Sequence, residues 1–123
     1  MAGMQHRVAP FIQACDVMAL VSEVESFSIG ILEAMASGKP MVVTDVGGAR
    51  EQIVADEHGY IVPPAEPGKI AEMLERLWRE GSIPAFGAAS RKRVRERFSI
   101  ESMVGLYAEL LIGTARSEAS VRR

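Results

Sequence analysis

The apolar positions of this chain fall into short blocks separated by polar loops. Val8 to Ala14 (VAPFIQA) is amphipathic and reads as the last turns of a helix. Asp16 introduces Val17-Met18-Ala19-Leu20-Val21, a continuous apolar run that suits a buried parallel strand. Polar Ser22 to Ser26 reads as the loop at its C-terminal end. Ser28 to Ser37 (SIGILEAMAS) is predicted as a short helix, with Ser28 as N-cap, Gly38 as C-terminal stop and Pro40 forbidding continuation. It is apolar on almost every side, which predicts burial. Pro40 to Thr44 (PMVVT) is a second strand, Asp45 to Gly48 its loop, Ala49 to Ala55 a short helix, and Gly59 to Val62 a third strand closed by Pro63-Pro64. Strand–helix–strand–helix–strand with short connections predicts an α/β domain with a parallel sheet and right-handed crossovers.

The remainder reads as helical. Pro67 suits a first helical position. Ile70, Met73, Leu74, Leu77 and Trp78 form one stripe, taken as core packing, and Gly81 ends it. A second helix, rich in arginine, is expected from about Pro84 to Phe98, and a third from the Ser99 cap, with a stripe of Ile100, Met103, Val104, Tyr107, Leu110 and Leu111. The domain is expected over residues 1–113. After Gly113 the composition turns small and polar, so 114–123 reads as a frayed, disordered tail. Three strands are few for a doubly wound sheet, where about five or six are usual, so the chain reads as part of a larger unit.

Composition narrows the function. With 123 residues, 48% hydrophobic and 24% charged, the chain is an ordinary globular domain, and a net charge of -2 gives no electrostatic case for nucleic acid. The single cysteine, Cys15, excludes an internal disulfide and a multi-cysteine zinc site, and its place before a buried strand reads as an inert small hydrophobe. No apolar run is long enough to span a bilayer, and Met1 to Arg7 lacks the layout of a signal peptide. The expectation is a cytoplasmic protein, with a place at the inner face of the membrane left open.

Glu33 is the chemical anomaly, because it is the only charged residue between Phe27 and Gly38. Buried, its carboxylate must find donors or be desolvated at a cost of several kcal/mol. It is either a structural glutamate, bonded to a backbone N–H or an arginine, or a ligand-binding one. The helix follows the C-terminal end of a predicted parallel strand, where open α/β sheets bind ligands. Its first turn, Ser28-Ile29-Gly30, offers backbone N–H groups and a positive dipole end suited to phosphate. One turn further in, Glu33 could accept two hydrogen bonds from a ribose diol, and Glu25 in the strand-end loop could face a bound sugar.

The segment ESFSIGILE (Glu25 to Glu33) has E-x7-E spacing and continues as EAMASGKP, then Val42-Val43-Thr44, Gly47-Gly48-Ala49-Arg50-Glu51, Gly59-Tyr60-Ile61-Val62-Pro63 and RVRERFS from Arg93. In this order the motifs resemble the retaining glycosyltransferases of family 4, "group 1", with the GT-B fold, over roughly residues 8–111. The resemblance implies a partial, Rossmann-like C-terminal domain followed by helices. It gives Glu33 the donor's ribose hydroxyls and Ser28, Ile29 and Gly30 the diphosphate. Glu25, the catalytic-side glutamate, contacts the donor sugar, and Phe27, Gly47 and Gly48 lie on the donor-side loops. It further implies a UDP- or GDP-sugar donor, a saccharide or lipid-linked acceptor, retention of configuration, and no metal or cofactor. Ser26-Phe27-Ser28 stands where Gly-Phe-Gly or Gly-Phe-Pro is common. The family's basic pair and its acceptor-binding N-terminal domain lie upstream of the matched region, so the isolated chain is expected not to turn over.

Other features are weaker. Gly38-Lys39 lacks the spacing and the Ser/Thr of a phosphate loop, and Gly47-Gly48 alone reads as a tight turn. The basic run Arg91 to Arg97 is a solvated face, a docking surface for the absent domain, or a contact for anionic lipid. Two rival readings are a non-catalytic module that dimerises through an open sheet edge and a GT-B-fold sugar epimerase.

Overall fold

The computed structural model of the chain describes residues 3–121, with side chains through Gly113; Met1 and Ala2, at the head of the segment judged against a signal peptide, and Arg122 and Arg123, at the end of the expected tail, lie outside the described residues. The elements are α1 (Ala9–Ala14), β1 (Met18–Leu20), α2 (Ile29–Ala36), β2 (Met41–Thr44), α3 (Ala49–Gln52), β3 (Gly59–Val62), α4 (Pro67–Arg79), α5 (Ile83–Arg97) and α6 (Ile100–Val121). The three strands form one parallel sheet in the order β1-β2-β3, with Met18 opposite Met41 and Met41 opposite Gly59.

Alternate residues of β2 serve opposite faces, as the pleat requires. Met41 and Val43 pack with Ile12 of α1, Ile31 and Met35 of α2, and Ile53 after α3. Val42 packs with Tyr60, Val62 and Leu77 of α4 on the other side. Helices therefore cover both faces, and all of β2 is buried. Each large side chain sunk this way contributes about 1.5–3 kcal/mol of transfer free energy. α2 ends in a Schellman motif: Gly38, at φ 69°, donates its N–H to Met35 O and Lys39 donates to Ala34 O.

Several expectations change. α2 buries only Ile31, Ala34 and Met35; Glu33 and Ala36 are exposed, and Ile29 is 70% exposed. The helix lies on the sheet by one face, so high hydrophobicity did not mean burial all round. Ser28 holds the N-cap position, but its side chain makes no capping bond. Trp78 is 74% exposed, because α4 seats on Leu77 and turns the next residue outward. Cys15 is exposed, and α3 stops at Gln52. The apolar stripe of α6 faces outward, from Met103 at 50% to Ile100 at 73% exposed. The backbone of α6 runs on through Val121.

Candidate functional site

The C-terminal ends of β1 and β2 feed two loops that lock together. Thr44, the last residue of β2, donates its Oγ1 hydrogen to Ser22 O at 2.6 Å and so fixes the chain leaving β1. Ser22 Oγ donates to Glu25 Oε1 at 2.9 Å, which orients that carboxylate. From the other loop Gly48 donates its N–H to Ser26 O at 2.7 Å. Gly47 sits at φ 52°, and a Cβ there would lie 2.2 Å from Glu25 O; one on Gly48 would lie 2.8 Å from the Phe27 ring. Only glycine permits this approach. The loop from Glu25 to Ser28 and the Gly47-Gly48 turn are thus packed against each other.

Glu33 lies elsewhere on the same helix. It lines an apolar cleft of ≈ 360 Å³ with Val8, Phe11, Ile12, Cys15 and Met18, whereas Glu25 and Ser28 line a narrow crevice of ≈ 10 Å³ with Thr44 and Gln52. The two glutamates therefore flank α2 on separate concavities. Glu33 is exposed rather than buried, so its carboxylate carries no desolvation cost and needs no internal donor. Ser28 changes role as well, because its N–H is taken by Gln52 Oε1 at 3.3 Å. The N–H groups of the first turn, Ile29, Gly30 and Ile31, have no i−4 carbonyl within the helix, and Ile29 and Gly30 stand at its very start.

Sequence reasoning missed Thr44, Gln52 and Arg93. Gln52 is fully buried and also donates Nε2 to Ser28 O at 2.8 Å. Its signal was a polar residue on the Ala49, Gln52, Ile53 face of an amphipathic turn. Arg93 donates from Nε to Gln52 O and from Nη2 to Glu51 O, both at 2.8 Å, and so caps α3. Arg91 Nη2 donates to Ser37 O at 3.1 Å at the end of α2. Part of the basic run thus serves helix C-termini, where cations are favoured. Phe98 lies 6.0 Å from the Phe27 ring, joining the end of α5 to the first loop.

The electrostatics are modest. Arg50 forks onto Asp45 at the rim, Nε to Oδ1 at 2.7 Å, and holds that carboxyl below its ordinary range; being exposed, the pair adds little stability. Behind the site, His58 is buried and accepts the Val54 N–H at Nδ1 (3.0 Å). Burial pushes its pKa below the ordinary imidazole value. Among the described residues no group of three or more His, Cys, Asp or Glu is placed to hold a metal ion, and no helix is long and apolar enough to cross a membrane.

Comparison with known proteins supplies the context. The model of the family "Glycosyl transferases group 1" matches residues 2–97. N-acetyl-alpha-D-glucosaminyl L-malate synthase of Bacillus anthracis is 32% identical over 117 residues, which are 94% of this chain and 31% of that protein. Trehalose synthase of Pyrococcus horikoshii is 34% identical over 104 residues, 85% of this chain and 25% of that one. The chain therefore spans about a quarter to a third of these relatives' length. Among solved structures, Anabaena HepE in complex with UDP and glucose matches 88% of this chain, and 30% of its own, with TM-score 0.79 at 26% identity. The C-terminal domain of a group 1 glycosyl transferase (LpcC) from Francisella tularensis matches 81% of this chain, and 52% of its own, with TM-score 0.72 at 28% identity. On the family match and the shared parallel α/β fold of the GT-B glycosyltransferases, the chain belongs to the glycosyl transferases group 1 family.

Proposed function

We propose that this chain forms the donor side of a retaining glycosyltransferase that moves a sugar from a nucleoside diphosphate, UDP or GDP, to a saccharide or lipid-linked acceptor. The observation that carries the reading is Glu33, an exposed carboxylate on the wall of an apolar cleft of ≈ 360 Å³. Small-molecule sites typically have this size and this mix of apolar wall and few polar groups. The base would lie against the apolar wall and the ribose diol would bond Glu33. One helical turn away, the N–H groups of Ile29 and Gly30 would meet the diphosphate, with Glu25 beyond them on the sugar. HepE has been solved with UDP and with UDP-glucose, which supports a nucleotide sugar here.

Transfer needs an acceptor held against the donor and stabilisation of the leaving diphosphate. We assign the 123 residues the donor contacts alone, so the isolated chain should bind nucleotide without turnover. Calorimetric or NMR titration with UDP and GDP tests the reading; no binding of either at millimolar concentration sinks it. A second reading, a module that pairs with another copy of itself, is favoured by the outward apolar stripe of α6. Sedimentation that shows a dimer with no nucleotide affinity would favour that one.

A further inference from the structure

Gln52 is a buried amide whose two ends both serve one backbone unit. Its Nε2 donates to Ser28 O at 2.8 Å and its Oε1 accepts the Ser28 N–H at 3.3 Å, across a sequence separation of 24 residues. A side chain that merely filled space on the buried face of α3 would be apolar, as Ala49 and Ile53 are. A fully satisfied buried amide instead specifies one arrangement, because any shift of Ser28 strands both its ends in a crevice of only ≈ 10 Å³. Gln52 is itself held from behind: its carbonyl accepts Arg93 Nε at 2.8 Å, and the Arg93 guanidinium lies 6.0 Å from the Phe98 ring, which contacts Phe27.

We infer that Gln52 is a positioning residue for the Glu25–Ser28 loop, and that Arg93 fixes Gln52 in turn. The inference rests on the donor-site reading above. Gln52 holds the last residue of the loop while the Gly48 N–H holds Ser26, so the segment carrying Glu25 and Phe27 is pinned at two points. It also consumes the Ser28 N–H and leaves the next two amides for the diphosphate. Glu33, one turn up the helix, does not depend on the clip. Losing Gln52 should therefore weaken contacts to the diphosphate end of a ligand and spare those to the nucleoside.

The test titrates UDP and uridine into the wild-type chain and into Gln52→Ala, at a temperature where circular dichroism shows both folded. The expected result is about a tenfold loss of UDP affinity, the worth of one hydrogen bond to a charged group, with uridine affinity unchanged. If Gln52→Ala does not fold, Gln52→Glu replaces it. Its carboxylate still accepts the Ser28 N–H but repels Ser28 O, and its protonated form can restore the second bond. UDP affinity in that variant should then recover on acidification relative to wild type. Wild-type affinity for UDP in the variant, or equal losses of UDP and uridine, overturns the inference while the donor-site reading stands. A wild-type chain that binds neither UDP nor GDP overturns both; one that binds GDP alone is tested in the same way with GDP and guanosine.

Discussion

Glu33→Ala should separate ligand binding from folding. The Glu33 backbone carbonyl accepts the Ser37 N–H at 3.0 Å, but its side chain has no hydrogen-bond or ion-pair partner among the described residues, and it is exposed on the flank of α2, away from the buried Ile31, Ala34 and Met35. Surface changes of this kind usually move stability within about 0.5 kcal/mol, a few degrees of Tm at most for a domain this size. Alanine's higher helix propensity offsets part of any loss. Binding should respond differently. A ribose diol donating two hydrogen bonds to a carboxylate gains about 1.5–3 kcal/mol per bond where water is excluded, and roughly half of that in an open cleft. The net loss on truncation is then about 1.5–3 kcal/mol, or ten- to 150-fold in Kd. Glu33→Gln keeps one acceptor and should fall between. Isothermal titration with UDP and GDP, beside melting curves of each variant, supplies both numbers. Equal affinity for wild type and Glu33→Ala refutes the ribose assignment. A Tm drop of about ten degrees would make Glu33 a structural residue.

Further outcomes follow from the same geometry. Cys15 lines the cleft beside Glu33, so saturating UDP should slow its alkylation by iodoacetamide; an unchanged rate would place the nucleotide elsewhere. Gly47→Ala meets both a left-handed backbone and a carbonyl 2.2 Å from the new Cβ, and should destabilise by about 1–3 kcal/mol; an unchanged urea midpoint counts against the locked loops. His58 has a folded pKa depressed chiefly by burial, with Glu57 and Arg93 acting in opposite directions. The unfolded chain therefore binds the extra proton first, and stability should be level above about pH 6.5 and fall as pH drops below it. A Tm identical at about pH 7.5 and 5.5 contradicts this, and that window lies above the titration of Asp45, Glu72 and Glu80, whose carboxyl pKa values are lowered by Arg50, Lys69 and Arg76.

The strands and most helices were legible because their signals are local. Val42 and Val43 lie in an unbroken apolar run, Gly38 and Pro40 punctuate α2, and the α4 stripe repeats at helical spacing. Boundaries failed where tertiary contacts decide them. α3 stops at Gln52 because Ile53 turns extended and Val54 bonds His58. The clip between Gln52 and Ser28 could not be read, since nothing local ties residues 24 positions apart.

α2 carries more apolar surface than its packing uses. Its hydrophobicity exceeds its burial: Ile31, Ala34 and Met35 suffice to seat it on β1 and β2, yet Ile29 is 70% exposed and the wall beside Glu33 is apolar too, with Phe11 at 46% exposed. Apolar surface left in water costs free energy that a helix used only for packing would avoid with polar residues on its open flank. That flank bears a lone carboxylate facing an apolar wall, and one turn away the start of the helix bears orphan N–H groups with the Ser28 N–H tied off by Gln52. A ligand with an apolar ring, a diol and a polyanion in that order would meet each of these in turn. Exposure is what leaves the Glu33 carboxylate available to such a ligand: a buried glutamate in this helix would need an internal partner and would have nothing left to offer.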